Sequence, residues 1–205
     1  MRSRLIPCML LAVMASALLT LAADTEVPMT FQQPALITPV GQAADGLMLN
    51  VICRQTGIKV MYNNLFNADS LKALTEGKIE VPVSMRKSGT VKTLILVPGG
   101  STKGLGAAKI DESAEMDRVQ GMIEQARKLN MGIIMCHLGG EARRGSLSDP
   151  FNHQAAEAAD VMIVVKGGNE DGFFTKIAEA RDVPIYEPEK ITEVGEILNV
   201  LFGGE

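Results

Sequence analysis

Three short runs, TLILV at 93–97, GIIMC at 132–136 and VMIVV at 161–165, are apolar at almost every position. A strand with one wet face alternates apolar and polar side chains, so a run without alternation must be covered on both faces and lie near the middle of a sheet. Between such runs the period changes. Met116, Val119, Ile123, Ala126 and Leu129 recur at three- and four-residue steps, as do Ile191, Val194, Leu198 and Leu201, each set forming one stripe along a helix. Strands alternating with helices predict βαβ units and a mainly parallel sheet.

The complete strand set read this way is Ala35–Pro39, Ile58–Tyr62, Val91–Val97, Gly132–His137, Val161–Lys166 and Pro184–Tyr186. The expected architecture is a three-layer α/β sandwich around a doubly wound, mainly parallel sheet, flavodoxin-like or Rossmann-like, with the flavodoxin order 2-1-3-4-5. The stretch Gly77–Thr90 contains Pro82 and predicts an edge strand or hairpin, because proline cannot donate to a central ladder. Asp149 before Pro150 predicts a helix start with the acid as its cap, and Asp45 and Asp171 are expected in similar capping positions.

The first 23 residues read differently. Arg2 and Arg4 precede an uncharged apolar run from Leu5 to Leu21, and Ala22 and Ala23 follow before the first acid, Asp24. That layout predicts a cleavable signal peptide over 1–23, a linker over 24–34 and one α/β domain over 35–205, in a protein that is periplasmic or secreted. Cys8 lies inside the apolar run, too early for a lipid-attachment cysteine. No later apolar stretch is long enough for a membrane span. Cleavage removes two of the 20 Lys and Arg and none of the 24 Asp and Glu, leaving a formal charge of −6. A chain this acidic and without Trp offers neither the basic surface nor the stacking platforms of a nucleic-acid binder. Cys53 and Cys136 are each flanked by apolar residues and read as separate buried thiols. The 12 Met read as core filling.

In an open parallel sheet, ligands bind beyond the C-terminal ends of the strands. The loops expected there are VGQAADG at 40–46, PGGSTKGLGAAKIDES at 98–113, LGGEARRGSLSDP at 138–150 and KGGNEDGFF at 166–174. Loops on the opposite edge, such as RQTG at 54–57, are short and plain, so the asymmetry places a candidate site on one edge. Glycines in GGSTKGLG allow close backbone approach, and free amides at Gly99, Gly100 and Ser101 beside Lys103 would make an anion nest. Neither the P-loop spacing nor G-x-G-x-x-G occurs, and VGQAADG lacks the hydroxyls of a flavin phosphate loop. No cofactor is expected.

The densest cluster runs from His137 to Asp149. Arg143 and Arg144 could hold a carboxylate or phosphate, or could pair with Glu141, Asp149 or Asp111 and pin the loop. His137 could be a general base, with Ser101, Ser146 or Ser148 as a nucleophile assembled in space, or a hydrogen-bonded structural residue. His153 stands sixteen positions further on, so no metal-ligand spacing exists. Phe173 and Phe174 read as packing a helix onto the sheet or walling the crevice. In the expected strand order Gln42 and Asp45 would face Ser101 and Lys103 across the gap between the first and third strands, with His137, Glu141, Arg143, Arg144 and Asp149 beside them.

The strings TPVGQAADG, GGSTKGLGAAKIDE, HLGGEARRGSLSD and EDGFFTKIA together resemble a family of secreted bacterial α/β domains known only as a domain of unknown function. The similarity extends from about Ala35 to the C-terminus, GGEARRG being the most specific string, and Gly77–Thr90 is longer than the family's usual link. The resemblance implies no activity. Three functions therefore remain open: binding of a small anionic or polar molecule, hydrolysis using His137, and protein interaction without a small ligand. The oligomeric state is not legible.

Overall fold

The computed structural model describes residues 31–204. The signal peptide over 1–23, Cys8 and residues 24–30 of the linker lie outside the described residues. Six strands form one all-parallel sheet: β1 (Ala35–Val40), β2 (Val60–Tyr62), β3 (Thr93–Pro98), β4 (Gly132–His137), β5 (Val161–Val164) and β6 (Ile185–Tyr186), in the order β2-β1-β3-β4-β5-β6. This is the expected order, extended by one strand at the far edge. The sequence places each strand within two residues of its observed bounds.

Period-two alternation divides the sheet cleanly. Leu36, Leu94, Leu96, Ile133, Met135 and Met162 face one core, while Ile37, Ile95, Val97, Ile134, Cys136 and Ile163 face the other. The first core is covered by α2 (Ala68–Thr75), α4 (Glu112–Lys128), α5 (Asp149–Ala158) and α6 (Phe173–Arg181), and the second by α1 (Asp45–Gln55) and α7 (Val194–Leu201). A short helix, α3 (Thr102–Ala108), follows β3. The doubly wound α/β class is therefore observed. The three non-alternating runs occupy β3, β4 and β5, whose Leu and Ile side chains are fully buried, each contributing about 1.5–3 kcal/mol of hydrophobic stabilisation.

Three local expectations change. Gly77–Thr90 forms neither edge strand nor hairpin; it carries a single 3-10 turn, Val83–Met85, anchored by the buried Met85. Pro82, which cannot donate to a ladder, precedes that turn. In the stretch 31–34, expected in a linker, Phe31 and Pro34 are buried, and the Phe31 N–H donates to the Leu201 carbonyl at 2.7 Å. Lys166 leaves the β5 strand and begins a 3-10 turn. Cys53 and Cys136 are free, buried and in the same core. Burial pushes the Cys53 thiol up to about 12. No helix of the described residues is long and apolar enough to cross a membrane.

Candidate functional site

The C-terminal ends of β1 and β3 lie side by side, as expected, but the gap between them is filled by the chain itself. Gln42 and Gly100 form an isolated antiparallel bridge. The Gly99 N–H donates to Val40 C=O at 2.9 Å, the Ser101 N–H to Gly41 C=O at 2.9 Å, and the Gly100 N–H to Ser148 Oγ at 3.0 Å. All three amides expected to cradle an anion are thus bonded within the protein. The glycines serve contact between segments. A Cβ on Gly104 would stand 2.0 Å from the Gln42 carbonyl oxygen, and one on Gly100 2.6 Å from Leu147. Ser101 Oγ accepts the Gly104 N–H and caps α3. Lys103, in the first turn of α3, is exposed and makes no ion pair among the described residues.

Beneath this closure lies a buried ion pair. Glu115, fully buried, accepts from Gly41 N–H at 3.0 Å and from Gln42 Nε2 at 3.1 Å, and receives Arg118 Nε and Nη2 at 2.8 and 2.9 Å. Arg118 also donates to the carbonyls of Pro39 and Phe66, both at 2.7 Å. Every charged hydrogen bond has a partner, the condition under which a buried pair is tolerated. Gln42, expected to look across the gap, therefore turns its side chain inward to Glu115 and to the Asn64 carbonyl. Sequence reading missed Glu115 and Arg118. The available signal was that Glu115 shares a helix face with Val119 and Met122, a charge where an apolar side chain belongs.

The two arginines have separate duties. Arg143 Nε donates to Asp45 Oδ2 at 2.6 Å, and its stem lies across Gly99 and Gly139, so that it seals the β1–β3 end. Arg144 reaches the opposite way. Its Nε donates to Asp149 Oδ1 at 2.8 Å, its Nη1 to Asp171 Oδ1 at 2.9 Å and the Gly168 carbonyl at 2.7 Å, and its Nη2 to Asp171 Oδ2 at 2.9 Å. The guanidinium also sits 4.5 Å from the centroid of Phe173, a cation–π contact. Asp45 and Asp149 stand in the first turns of α1 and α5 but cap neither helix, because their carboxylates are drawn to arginines. Asp171 does accept the Phe173 N–H at the start of α6, at 3.1 Å. Its hydrogen bonds with Arg144 hold its carboxyl well below the usual range. For Asp149 burial is the largest influence and acts upward, but bonds from Arg144 and Asn152 outweigh it, so its carboxyl too is lowered.

His137, at the end of β4, is completely buried. Its Nε2 donates to the Gly140 carbonyl at 3.1 Å, and Phe174 packs against the ring with centroids 4.9 Å apart. A Cβ on Gly168 would be 2.5 Å from the imidazole Cδ2, so backbone seals it. Its Nδ1 has no hydrogen-bond partner among the described residues, although Asn152 is near enough to favour the charged ring slightly. Burial dominates and pushes the imidazole below its ordinary pKa. Ser101 and Ser148 spend their hydroxyls on backbone amides, and His137 bonds to no hydroxyl among the described residues. Among the described residues, His137 is therefore not paired with Ser101, Ser146 or Ser148.

What remains open lies beyond β4 and β5. A concavity of about 320 Å³ is walled by Glu141, Arg144, Asp149, Glu170 and Asp171, with Gly167 and Gly168 as its floor. Small-molecule sites begin at about this size. Glu141 and Glu170 are exposed and have no ion-pair partner among the described residues. No group of three or more His, Cys, Asp or Glu among the described residues is placed to hold a metal ion. Glu141, Arg144 and Asp149 of the expected site meet here, while Gln42, Asp45, Gly100, Ser101 and Arg143 belong to the sealed end and His137 lies under the floor. Asp171 and Glu170 are additions from the neighbouring loop.

No curated protein matches this chain. Among solved structures, a candidate acylhydrolase from Bacteroides fragilis is similar at 10% identity, over 84% of this chain and 77% of that one, with a TM-score of 0.32. A likeness that slight carries no argument about fold or activity. Sequence is more decisive: the model of the family described as domain of unknown function DUF6305 matches residues 32–202, and the chain belongs to that family.

Proposed function

We propose that this domain is an extracytoplasmic binding module for a small polar molecule bearing a positive group, held at the C-terminal ends of β4 and β5. One observation carries the reading. The concavity there sets four carboxylates against a single guanidinium, and that guanidinium is already matched by Asp149 and Asp171. The two spare carboxylates, Glu141 and Glu170, favour an amine over an anion. An anion would have to displace Asp171 from Arg144 and would find the amides of Gly99, Gly100 and Ser101 already bonded. The pinned Arg144 offers a fixed edge for a polar group on the same ligand, and such preorganisation lowers the cost of binding. The N-terminal sequence supports action outside the cytoplasm.

Thermal-shift measurements with putrescine, lysine, acetate and inorganic phosphate test the assignment. A ligand at a hundred times its Kd stabilises a protein by about 2.7 kcal/mol, roughly 5–10 °C for a chain of this size. The amines are expected to produce such a shift, and Glu141→Gln with Glu170→Gln to abolish it while leaving the unliganded melting temperature unchanged. Stabilisation by phosphate or acetate alone would return the site to an anion. No shift with any of the four would remove the reading.

A further inference from the structure

The second large concavity lies at the other side of the molecule and shares no residue with the first. It is a groove of about 700 Å³ between the β2 edge of the sheet and the segment Glu80–Arg86. Among the described residues β2 pairs only with β1. The Lys59 carbonyl accepts from Ala35 N–H and the Asn63 N–H donates to the Ile37 carbonyl, so alternate residues face β1. By the alternation of a parallel ladder, the N–H and C=O of Val60 and Tyr62 then point into the groove. None of these four groups has a backbone partner among the described residues. The facing wall supplies Val81 and the 76% exposed Val83 but no strand, because Pro82 and the 3-10 turn after it break the extended geometry.

Charge identifies what fits. Arg86 is paired with Glu80 across the outer wall, whereas Arg54 and Lys59 are exposed and make no ion pair among the described residues. The groove thus carries two spare positive charges on a chain whose formal net charge is −4. A second copy of this chain would bring the same surplus into apposition with itself, and like charges facing each other across paired strands repel. The geometry points to an extended, acidic peptide segment of another protein, which adds as a strand to the β2 edge. Main-chain bonds to Val60 and Tyr62 would hold it, and its acidic side chains would meet Arg54 and Lys59. Strand addition of this kind draws affinity from backbone bonds and specificity from alternate side chains. The inference is independent of the polar-ligand site.

Fluorescence polarisation with labelled hexapeptides tests it. Alternating Glu-Val is expected to bind, and alternating Lys-Val to bind at least about tenfold more weakly, with affinity for the first falling as salt rises. Only every second N–H of an added strand faces the edge. N-methylation of alternate residues should therefore abolish binding in one register and be tolerated in the other. Arg54→Glu with Lys59→Glu, both exposed, should weaken the acidic peptide by about tenfold and leave the fold intact by circular dichroism. Equal tolerance of both N-methylated registers, preference for the lysine peptide, or no binding at millimolar peptide would each overturn the proposal. So would a dimer in sedimentation that the double charge reversal abolishes, since a second copy would then be the occupant.

Discussion

The ends of β1 and β3 and the ends of β4 and β5 lie next to each other on one edge of the sheet, and both are bordered by glycine-rich loops. At the first end, glycines let backbone meet backbone, a buried Glu115–Arg118 pair fixes the turn from below, and Arg143 closes the top. At the second, the loops stand apart, Arg144 bridges them, and carboxylates face solvent. At Gly100, Gly104 and Gly168 a side chain would not fit, but a glycine in the sequence does not announce this. Nor does it say what takes the space: at the first end the chain itself fills it, and at the second a concavity stays open.

The largest effect should come from the ion pair under the closed end. Glu115→Ala leaves the Arg118 charge buried and unpaired, which costs about 3–5 kcal/mol and should lower the melting temperature by roughly 6–20 °C. Replacing both residues by Met should restore much of this, since a packed apolar pair commonly equals a buried ionic one. If Glu115→Ala melted like the wild type, the closed end would not be the rigid one.

Next comes the close approach at α3. Gly104→Ala places a methyl against the Gln42 carbonyl, where only backbone movement can make room, and overpacking of this kind costs about 1–3 kcal/mol. Gly106, two residues on in the same helix, meets nothing within 4 Å. Gly106→Ala should instead gain about 0.5–1 kcal/mol from helix propensity. Chemical denaturation of both variants separates steric closure from a general intolerance of the helix. A harmless Gly104→Ala would reopen the gap to ligand.

At the open end the effect is smaller and depends on pH. Arg144→Ala removes bonds to Asp149 and Asp171, and because Asp171 is largely exposed the loss should be only about 1–2 kcal/mol. Both carboxyls are held lower in the folded protein than in the unfolded chain. The unfolded chain therefore takes up more protons as pH falls below about 4. The stability contributed by these pairs is complete above that pH and fades as acid brings them through their folded-state values. Denaturation curves should show a constant gap between wild type and Arg144→Ala from pH 5 to 8 and a narrowing gap below pH 4. A gap that stayed constant below pH 4 would mean that Arg144 stabilises through its stacking on Phe173.

The same contrast governs what could be read from the chain. The central strands were legible because burial on both faces leaves a compositional mark, and the alternation with helices made the sheet parallel; the order was a choice between the two common doubly wound orders, and the flavodoxin one is observed. The candidate edge was legible because loop length and charge are asymmetric. Which glycine contacts what was not, since that depends on segments far apart in the chain, such as Gly41 and Glu115, 74 residues apart. Asp149 and Asp45 read as caps from their position at helix starts, yet arginines from a neighbouring loop outbid the helix amides. Asp171 was missed as the partner of Arg144, although adjacent strands β4 and β5 bring the loops that follow them together.

The two thiols of the described residues, Cys53 and Cys136, pack in the same core without a bond between them, and burial raises both above the ordinary thiol range. A thiol held protonated in a dry interior is a poor partner for exchange. In the folded domain Cys53 and Cys136 are therefore shielded from thiol–disulfide exchange. Incubation of the folded domain with oxidised glutathione should leave both thiols unmodified by mass spectrometry, and a mixed disulfide at either would show that the core opens.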